Sequence, residues 1–252
     1  MKISATIITF NEEKNIERCL NSLKPVADEI IVVDSFSNDQ TKELSLKHGV
    51  IFTENKFAGH IQQKNYAMSL ASNDYILSLD ADEALSEELQ QSILKLKETE
   101  QLEMAYSLNR LTSYCGQWIK HCGWYPDTKI RLWNKTKGKW GGENPHDKVM
   151  MEEGSRGHLK GDLLHYSFES IESHVKTANS FSTIAAKEAF NKGKKANLLI
   201  HVILNPMYTF VNKYFFHLGF LDGFYGFVIC YLSAVSNFLK YTKIRQLHKN
   251  GQ

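Results

Sequence analysis

Several signatures of common nucleotide-binding and metal-binding proteins are missing from this chain of 252 residues. Neither G-x-x-x-x-G-K-[ST] nor G-x-G-x-x-G occurs, which argues against P-loop kinases and dinucleotide dehydrogenases. The four cysteines are scattered without a C-x-x-C pair, so no zinc site is legible and a reducing compartment fits best. A charged segment followed by an apolar stretch is absent from the start, so we expect no secretion signal. No uninterrupted run of about 20 apolar residues predicts a membrane-spanning helix.

Acidic residues are almost absent from the last quarter of the chain. Residues 192–252 contain eight Lys or Arg against a single acidic residue, Asp222, although the net charge of the whole chain is only +2. Two apolar blocks, 198–204 and 215–239, lie in this basic segment, and Pro206, Asp222 and several glycines interrupt them. This composition favours a monotopic membrane-binding element, and we expect a membrane surface and no nucleic acid as the anionic partner. The alternative is a helical pair packed on the body or forming a dimer interface.

The rest of the chain has the composition of a folded globular protein, with 42% apolar and 23% charged residues. Its first hundred residues alternate between strand and helix patterns, which predicts a parallel sheet with right-handed crossovers. We expect strands at 3–9, 29–33, 50–53 and 75–79, with helices after Asn11 as N-cap and at 40–48, 61–71 and 86–98. Beyond residue 100 we expect strands at 104–111, 128–133, 146–152 and 159–165 and a helix at 171–190.

Carboxylates follow the predicted strands at three points, at Glu12, at Asp34 and at the pair Asp80 and Asp82. Strand ends in an open α/β sheet meet at the crevice where ligands bind. Two Asp separated by one residue offer hard oxygen ligands to Mg²⁺ or Mn²⁺, and a metal held in this way usually also binds substrate phosphates. The alternative for D-A-D-E is a solvated acidic turn that caps the helix beginning near Ser86.

A crevice lined with carboxylates repels a bare nucleoside diphosphate, so the phosphates require a metal and basic side chains. In the absence of a glycine-rich loop, we expect Lys64 and Arg131 to contribute to phosphate binding. Asp34 is placed to accept hydrogen bonds from a base or a ribose.

Four motifs in the first hundred residues resemble the inverting family 2 glycosyltransferases with the GT-A fold. They are T-I-I-T-F-N-E-E-K-N-I-E-R-C-L, I-I-V-V-D-S-F-S-N-D-Q-T, A-G-H-I-Q-Q-K-N-Y-A and L-D-A-D-E, in this order. Y-P-D-T-K-I-R-L-W, N-P-H-D-K-V, L-L-H-Y-S-F-E-S-I-E-S-H and G-F-L-D-G-F-Y-G-F are similar to the bacterial subgroup that adds sugars to the lipopolysaccharide core. The resemblance implies an α/β fold, a Rossmann-like GT-A mixed sheet flanked by helices, with a C-terminal helical appendage that is apolar and basic.

The resemblance also implies roles for individual residues. The nucleotide would contact a set drawn from the strand ends and from later basic positions: Thr9, Asn11, Glu12, Asp34, Lys64, Asp80 and Arg131. Asp82 would bind the metal, and His165 matches a late family histidine that completes metal coordination. The alternative for His165 is a core histidine hydrogen-bonded to backbone.

An inverting transfer needs a base that takes the proton of the acceptor hydroxyl. Asp147 is our candidate, because it follows His146 in a segment that resembles the acceptor-side motif of the family. Many relatives have Glu at this position, so the shorter carboxylate of Asp147 is a departure that reduces its reach. Glu143 is the reserve base, and the alternative for Asp147 is a loop carboxylate that caps local backbone.

The predicted activity is therefore inverting transfer of a hexose from a nucleotide sugar, with UDP as the default nucleotide, to a lipid-linked or lipopolysaccharide-core glycan. We expect residues 1–100 to bind the nucleotide sugar, 101–191 to bind the acceptor and supply the base, and 192–252 to associate with membrane or to form an oligomer. The expected location is cytoplasmic, peripheral on the inner face of the cytoplasmic membrane. The rivals are a sugar nucleotidyltransferase and a non-catalytic nucleotide-binding membrane module.

Overall fold

The computed structural model describes residues 1–143 and 146–250, without the side chains of Glu143 and His146. Two compact units make up this part of the chain. The first contains Met1–Leu111 and Asp127–Tyr166, and the second contains Thr112–Pro126 and the chain from Ser167 onward. Both units combine segments that are distant in sequence. The functional ranges 1–100, 101–191 and 192–252 were drawn from the sequence, and they remain a proposal about function.

Parallel strands alternate with helices at the start of the first unit, as predicted. The elements are β1 (Ile3–Thr9), α1 (Ile16–Leu23), β2 (Glu29–Asp34), α2 (Thr41–Lys47), β3 (Ile51–Glu54), α3 (His60–Ser69) and β4 (Tyr75–Asp80). The strands lie in the order β3-β2-β1-β4, and each neighbouring pair is parallel. Ile7 in β1 and Leu79 in β4 are fully buried in one core with Leu20 of α1. Helices cover this parallel sheet, so its central strands are buried and consist mainly of apolar residues.

The prediction that Asn11 caps the first helix is wrong. Helix α1 begins only at Ile16, with Asn15 at the N-cap, because the backbone N–H groups of Asn15 and Ile16 bond to the carbonyl oxygen of Glu12 and form a separate turn. Asn11 has a left-handed backbone with φ of 55°, and its side-chain oxygen accepts a hydrogen bond from the backbone of Asn38 at 3.0 Å. Its side chain therefore joins two loops instead of capping a helix.

Beyond β4 the sheet becomes mixed. The further elements are β5 (Glu83–Leu85), α4 (Glu87–Lys97), β6 (Ala105–Tyr114), β7 (Gln117–Ile119), β8 (Asp127–Asn134), β9 (Gly138–Glu143), β10 (His146–Met151) and β11 (Arg156–Phe168). The sheet continues from β4 in the order β8-β6-β11-β5, while β9 and β10 pair as an antiparallel hairpin. Helix α4 begins where the sequence predicts, and Ser86 is its N-cap, with its Oγ accepting from the backbone N–H of Leu89.

The sequence patterns do not predict β5, β7 and β9. The first and second of these strands have three residues each, too few to establish a periodicity. Strand β9 has the sequence G-K-W-G-G-E, with three glycines in six residues. Glycine is depleted in strands because it loses more conformational entropy on folding and has no side chain to pack, so this sequence does not predict a strand.

The second unit is mainly helical. Its elements are β7, α5 (Ile171–Asn191), a helical segment made of a π-helical turn Leu198–Leu204, α6 (Asn205–Val211) and a π-helical turn Asn212–Phe216, a 3₁₀ turn Gly219–Asp222 and α7 (Gly223–Asn250). Tyr114, Ile119 and Cys230 lie in the core of this unit. Pro206 lies at the start of α6, directly after the π-helical turn, and the helical segment continues through it.

Candidate active site

The ends of three neighbouring strands bring predicted site residues to one edge of the sheet in the first unit. Thr9 at the end of β1 is paired in register with Asp34 at the end of β2, and Ile8 is paired with Asp80 at the end of β4. Asp34 and Thr9 are buried, and Asp80 is partly exposed. The carboxyl ends of parallel strands thus form the crevice that the sequence predicts.

The loops after β1 and β2 are joined by side-chain hydrogen bonds. Ser37 donates from its backbone N–H to Asp34 Oδ2 at 2.7 Å and from its hydroxyl to Oδ1 at 2.5 Å. The same hydroxyl accepts from the backbone N–H of Asn11 at 2.8 Å, and the backbone N–H of Glu12 donates to Thr41 Oγ1 at 2.8 Å. These hydrogen bonds connect Asn11 and Glu12 after β1 to the turn after β2, and the Asp34 carboxylate is itself bonded to that turn.

Two exposed aromatic side chains lie just beyond the strand ends: Phe10 directly after β1, and Phe36 one residue further after β2. The sequence reasoning assigned neither of them an individual role. Their exposed fractions are 57% and 58%, and Phe36 has a φ of 63°. A positive φ in a bulky residue is rare and strained, and such strain tends to occur at ligand sites. The available signal was the placement of an aromatic residue inside the turn-rich stretch S-F-S-N-D.

A buried lysine connects two of the predicted carboxylates. Lys64 on α3 lies with its Nζ atom 2.9 Å from Asp80 Oδ1 and 2.8 Å from Asp147 Oδ2. The same ammonium lies 4.3 Å from the centre of the Trp140 ring in β9. Asn65, the next residue on α3, exchanges two hydrogen bonds with the backbone of Trp140, which fixes the β9–β10 hairpin against the helix. Asp147 therefore reaches the strand-end cluster through Lys64.

Arg131 in β8 extends the cluster on the other side of Asp80. Its Nη2 atom lies 2.8 Å from Glu83 Oε1 and 3.4 Å from Asp80 Oδ2. Burial raises the pKa of Asp80, but the neighbouring charges of Lys64 and Arg131 outweigh burial and hold that pKa well below its usual range. Burial lowers the pKa of Arg131, and the carboxylates of Glu83 and Asp80 more than offset it. Glu83 is thus a structural counter-ion, a role that the sequence reasoning did not assign.

Four buried side-chain polar atoms have no hydrogen-bond partner among the residues that the structure describes. Thr6 Oγ1 lies in the middle of β1, and Arg131 Nε, Trp140 Nε1 and Thr9 Oγ1 belong to residues at the site. Two of them are N–H donors on side chains that already belong to the charge cluster. Buried donors are normally paired, and an unpaired one at a site indicates a missing ligand or water. The cluster therefore has donor capacity for an anion in addition to its internal ion pairs.

Asp82 and His165, the two predicted metal ligands, are neighbours. His165 Nε2 lies 3.2 Å from Asp82 Oδ2, and the pairing of β5 with β11 places the histidine opposite Glu83. Both side chains are partly exposed, at 27% for Asp82 and 16% for His165. Among the described residues, no group of three or more His, Cys, Asp or Glu is arranged to hold a metal ion. A carboxylate oxygen and an imidazole nitrogen thus lie side by side, and both are donor types that bind divalent cations.

Of the two candidate bases, only Asp147 has a described side chain. Asp147 in β10 is largely buried, 13% exposed at its side chain, and paired with Lys64. The side chain of Glu143 lies outside the described part of the structure, and only its backbone position opposite His146 is defined.

Comparisons with known proteins identify the family to which this chain belongs. The family model described as "Glycosyl transferase family 2" matches residues 4–155, more than half of the chain. An uncharacterized glycosyltransferase of Rickettsia typhi is 35% identical over 257 residues, which cover 98% of this chain and 87% of that protein. This chain therefore belongs to the family 2 glycosyltransferases, and it is a transferase.

Two further similarities are more distant. The lipopolysaccharide core biosynthesis glycosyltransferase LpsC of Rhizobium meliloti is 27% identical, over 98% of this chain and 93% of that protein. The structure of S. aureus TarS 1–349 in complex with UDP-GlcNAc aligns with a TM-score of 0.50 and 14% identity, over 99% of this chain and 92% of the other. The structural match supports the GT-A fold expected from the sequence.

Proposed function

We propose that this protein transfers a hexose, with inversion, from a UDP-sugar to a lipid-linked glycan of the lipopolysaccharide-core type. The observation that carries the proposal is the joining of Asp80, Lys64 and Asp147 in one buried ion-pair cluster beside the strand-end crevice of a family 2 glycosyltransferase. One edge of the sheet then provides a nucleotide pocket, phosphate-binding cations and a carboxylate that can accept a proton.

In this proposal the nucleoside lies against the loops after β1 and β2. Phe10 and Phe36 supply exposed aromatic surfaces on which a base can stack, and Asp34 supplies carboxylate oxygens for its polar edge or for the ribose. UDP is the proposed nucleotide because the TarS domain of the same fold was solved with UDP-GlcNAc. Lys64 and Arg131 turn toward the diphosphate and bring their buried positive charge to the leaving group.

Asp147 is the proposed base. A base must come within hydrogen-bonding reach of the acceptor hydroxyl, and the β9–β10 hairpin that carries Asp147 is held next to the donor cluster by Lys64 and Asn65. When Lys64 turns to the diphosphate, it releases the Asp147 carboxylate to accept the hydroxyl proton. Glu143, the reserve base, belongs to the same hairpin through its backbone.

A divalent cation, Mg²⁺ or Mn²⁺, is the proposed cofactor, and Asp82 with His165 would hold it. Hard carboxylate oxygen suits either ion, and the proximity of the two side chains is the observation that supports this pair. When bound, the ion supplies Lewis-acid stabilisation of the charge that develops on the departing diphosphate.

The proposed acceptor is lipid-linked because LpsC, a relative over nearly the whole chain, is named for lipopolysaccharide core biosynthesis. A lipid-linked acceptor and a nucleotide-sugar donor together favour a peripheral position on the inner face of the cytoplasmic membrane. The segment from residue 192 onward would provide the contact, or it would form an oligomer.

The test is a product assay with UDP-glucose, UDP-galactose and UDP-GlcNAc, Mn²⁺, and a lipopolysaccharide acceptor truncated in its core. We expect release of UDP that depends on the acceptor, with an inverted anomeric linkage in the product. Release of pyrophosphate from a nucleoside triphosphate and a sugar phosphate would instead identify a nucleotidyltransferase. Tight UDP binding without any turnover on such acceptors would contradict the proposed activity.

A further inference from the structure

The helical segment Leu198–Phe216 directs apolar side chains outward. Five exposed residues follow one another at intervals of three or four positions: Ile200, Ile203, Met207, Val211 and Phe215. All five are between 43% and 62% exposed, and we call this series of outward apolar side chains the first stripe. A second stripe continues from the 3₁₀ turn along α7: Phe220, Phe224, Phe227, Tyr231 and Phe238.

The polar side chains of the first segment point to the protein instead. Thr209 Oγ1 accepts a hydrogen bond from Asn237 Nδ2 of α7 at 2.7 Å, and Lys213 Nζ donates to the carbonyl oxygen of Cys122 at 3.1 Å. A surface helix of a water-soluble protein normally has the opposite arrangement, with its apolar stripe toward the core. The outer surface of this helix is therefore suited to an apolar environment.

The two stripes belong to one surface, because the helices that carry them pack side by side. The ring centres of Phe210 and Phe227 lie 5.8 Å apart, and those of Tyr214 and Phe227 lie 6.0 Å apart. We call the two stripes together the outward apolar face. Exposed apolar surfaces of this extent are rare unless they mark an interaction site.

The one carboxylate of the segment is withdrawn from this face. Asp222 is only 6% exposed, and it accepts hydrogen bonds from the backbone N–H of His121 at 2.8 Å and bonds to His121 Nδ1 at 2.9 Å. Gly226 permits this, because a side chain there would collide with the carbonyl group of Gly219. Residues 192–250 are all described, and Asp222 is their sole acidic residue, so their outer surface has no negative side chain.

Positive charge adjoins the face. Lys194 and Lys195 are exposed and lie in the loop just before the helical segment that carries the first stripe. Other basic residues of the segment are engaged internally: Lys243 donates to Asn179 and Ser182 of α5, and Arg245 donates to the carbonyl oxygen of Ala196. The count of eight basic residues thus overstates the charge available to a partner. Lys192 and Lys249 are exposed as well, but Lys192 is paired with Glu188, and Lys194 and Lys195 are the exposed pair that lies near the first stripe in sequence.

We propose that the outward apolar face lies in the plane of an anionic lipid leaflet, with Lys194 and Lys195 at the headgroups. This rests on the membrane location proposed above and identifies the surface that makes the contact. Aromatic and aliphatic side chains beside lysines, without carboxylates, complement an anionic leaflet, whereas a second copy of the chain would present the same positive charge.

The packing of α7 against α5, on the side away from the outward apolar face, indicates that α7 lies in the plane of the membrane and does not cross it. Among the described residues one helix, Gly219–Asn250, is long and apolar enough to cross a membrane, with a mean hydropathy of 1.4 over its most apolar window. However, α7 packs along α5, which has the exposed ion pair Glu172–Lys176 on its surface. Lipid cannot surround α7 while α5 faces water, so one side of the helix meets the leaflet.

The experiment is flotation of the full-length protein with vesicles of phosphatidylcholine alone or with one quarter phosphatidylglycerol. We expect flotation with the anionic vesicles at low salt. The triple variant Met207→Ser/Phe215→Ser/Phe224→Ser is expected to lower vesicle partitioning by more than about tenfold, because it removes three exposed apolar groups. Lys194→Gln/Lys195→Gln is expected to lower partitioning on anionic vesicles by about thirtyfold and to leave neutral vesicles unaffected.

The matched control is Leu46→Ser/Ile51→Ser/Phe57→Ser, which removes three apolar side chains of the first unit that are about half exposed. It is expected to float like the unaltered protein, and thermal melts of both triple variants test that they fold. The proposal is overturned if the unaltered protein stays at the bottom of the anionic gradient, or if both triple variants lose flotation equally. It is also overturned if light scattering detects a dimer that only the Met207 triple variant dissociates. Flotation does not depend on turnover. If the unaltered protein floats with anionic vesicles but shows no transfer in the product assay, the proposed reaction is refuted and the membrane contact is not.

Discussion

Lys64 and Asp147 are 83 positions apart in the chain, yet the Lys64 ammonium lies 2.8 Å from the Asp147 carboxylate. The same ammonium lies 2.9 Å from Asp80, so one buried cation joins the nucleotide side of the site to the hairpin that carries the candidate base. The lysine lies between two carboxylates that come from different elements, and its positive charge offsets their mutual repulsion. Both the geometry and the charge balance of the site therefore depend on Lys64.

The first prediction concerns stability. Lys64→Met is expected to lower the free energy of unfolding by about 2 kcal/mol, because it leaves Asp80 and Asp147 without their shared cation. This figure is below that of a fully buried pair, since Asp80 is 31% exposed and partly solvated. Urea denaturation measures the change. In the double variant Lys64→Met/Asp147→Asn part of the loss is expected to return, and strict additivity of the two single changes would contradict the coupling.

The second prediction identifies the base. Asp147→Asn keeps the shape of the side chain and removes its ability to take a proton, so we expect kcat to fall by about 10²–10⁴. UDP affinity, measured by calorimetry, is expected to change much less. Glu143→Gln is the companion variant. If it abolishes transfer while Asp147→Asn retains near-normal turnover, the base is Glu143 and the assignment made here is wrong.

The third prediction concerns the metal. Asp82→Ala is expected to weaken UDP binding in Mn²⁺ by at least about tenfold and to make the remaining affinity insensitive to EDTA. The matched control is Asp74→Ala, an exposed carboxylate just before the other end of β4, which is expected to leave UDP binding and its EDTA sensitivity intact. Equal UDP affinity of the Asp82 variant and the unaltered protein in Mn²⁺ would remove the metal role from Asp82.

Part of this site can be predicted from the sequence, because the end of a buried strand is visible as the end of an apolar run. Asp34 and Asp80 stand where apolar runs stop, and parallel strands bring such positions together, so their common edge is predictable. The partners of Arg131 were not predictable in the same way. Its contact with Glu83 depends on an antiparallel strand entering the sheet next to β4, which local patterns do not reveal. Likewise Asn11 reads as a helix cap until the loop that it joins is known.

The fourth prediction tests the role of Phe36. Phe36→Ala removes an aromatic surface beside Asp34, and we expect the affinity for UDP to fall by about tenfold, in the range typical of base stacking on an aromatic side chain. Phe36→Gly is expected to lose the same affinity but to unfold at a higher temperature than the Ala variant, because glycine adopts the φ of 63° without strain. Phe57→Ala, at another exposed aromatic residue, is the control and is expected to bind UDP normally. Unchanged UDP affinity in Phe36→Ala would exclude stacking at this position.

The fifth prediction is a pH dependence of stability that originates in the second unit. His174 is buried, its Nδ1 atom lies 3.0 Å from the Tyr114 hydroxyl, and burial lowers the pKa of the histidine below its ordinary value. Above the unfolded pKa of about 6.5 the imidazole is neutral in both states and costs nothing. As the pH falls through that value the unfolded chain binds the proton more readily, so the folded state loses stability until the lower folded pKa is passed.

His174→Gln is expected to remove this component of the pH dependence. At pH 7.5 the variant is expected to be less stable by about 1 kcal/mol, because it disturbs a buried hydrogen bond. Between pH 7.5 and 5.5 its stability, measured by urea denaturation, is expected to fall less steeply than that of the unaltered protein. His60→Gln changes an exposed histidine of the first unit and is expected to retain the original slope. If His174→Gln and the unaltered protein lose stability in parallel over this range, His174 is not the group that titrates.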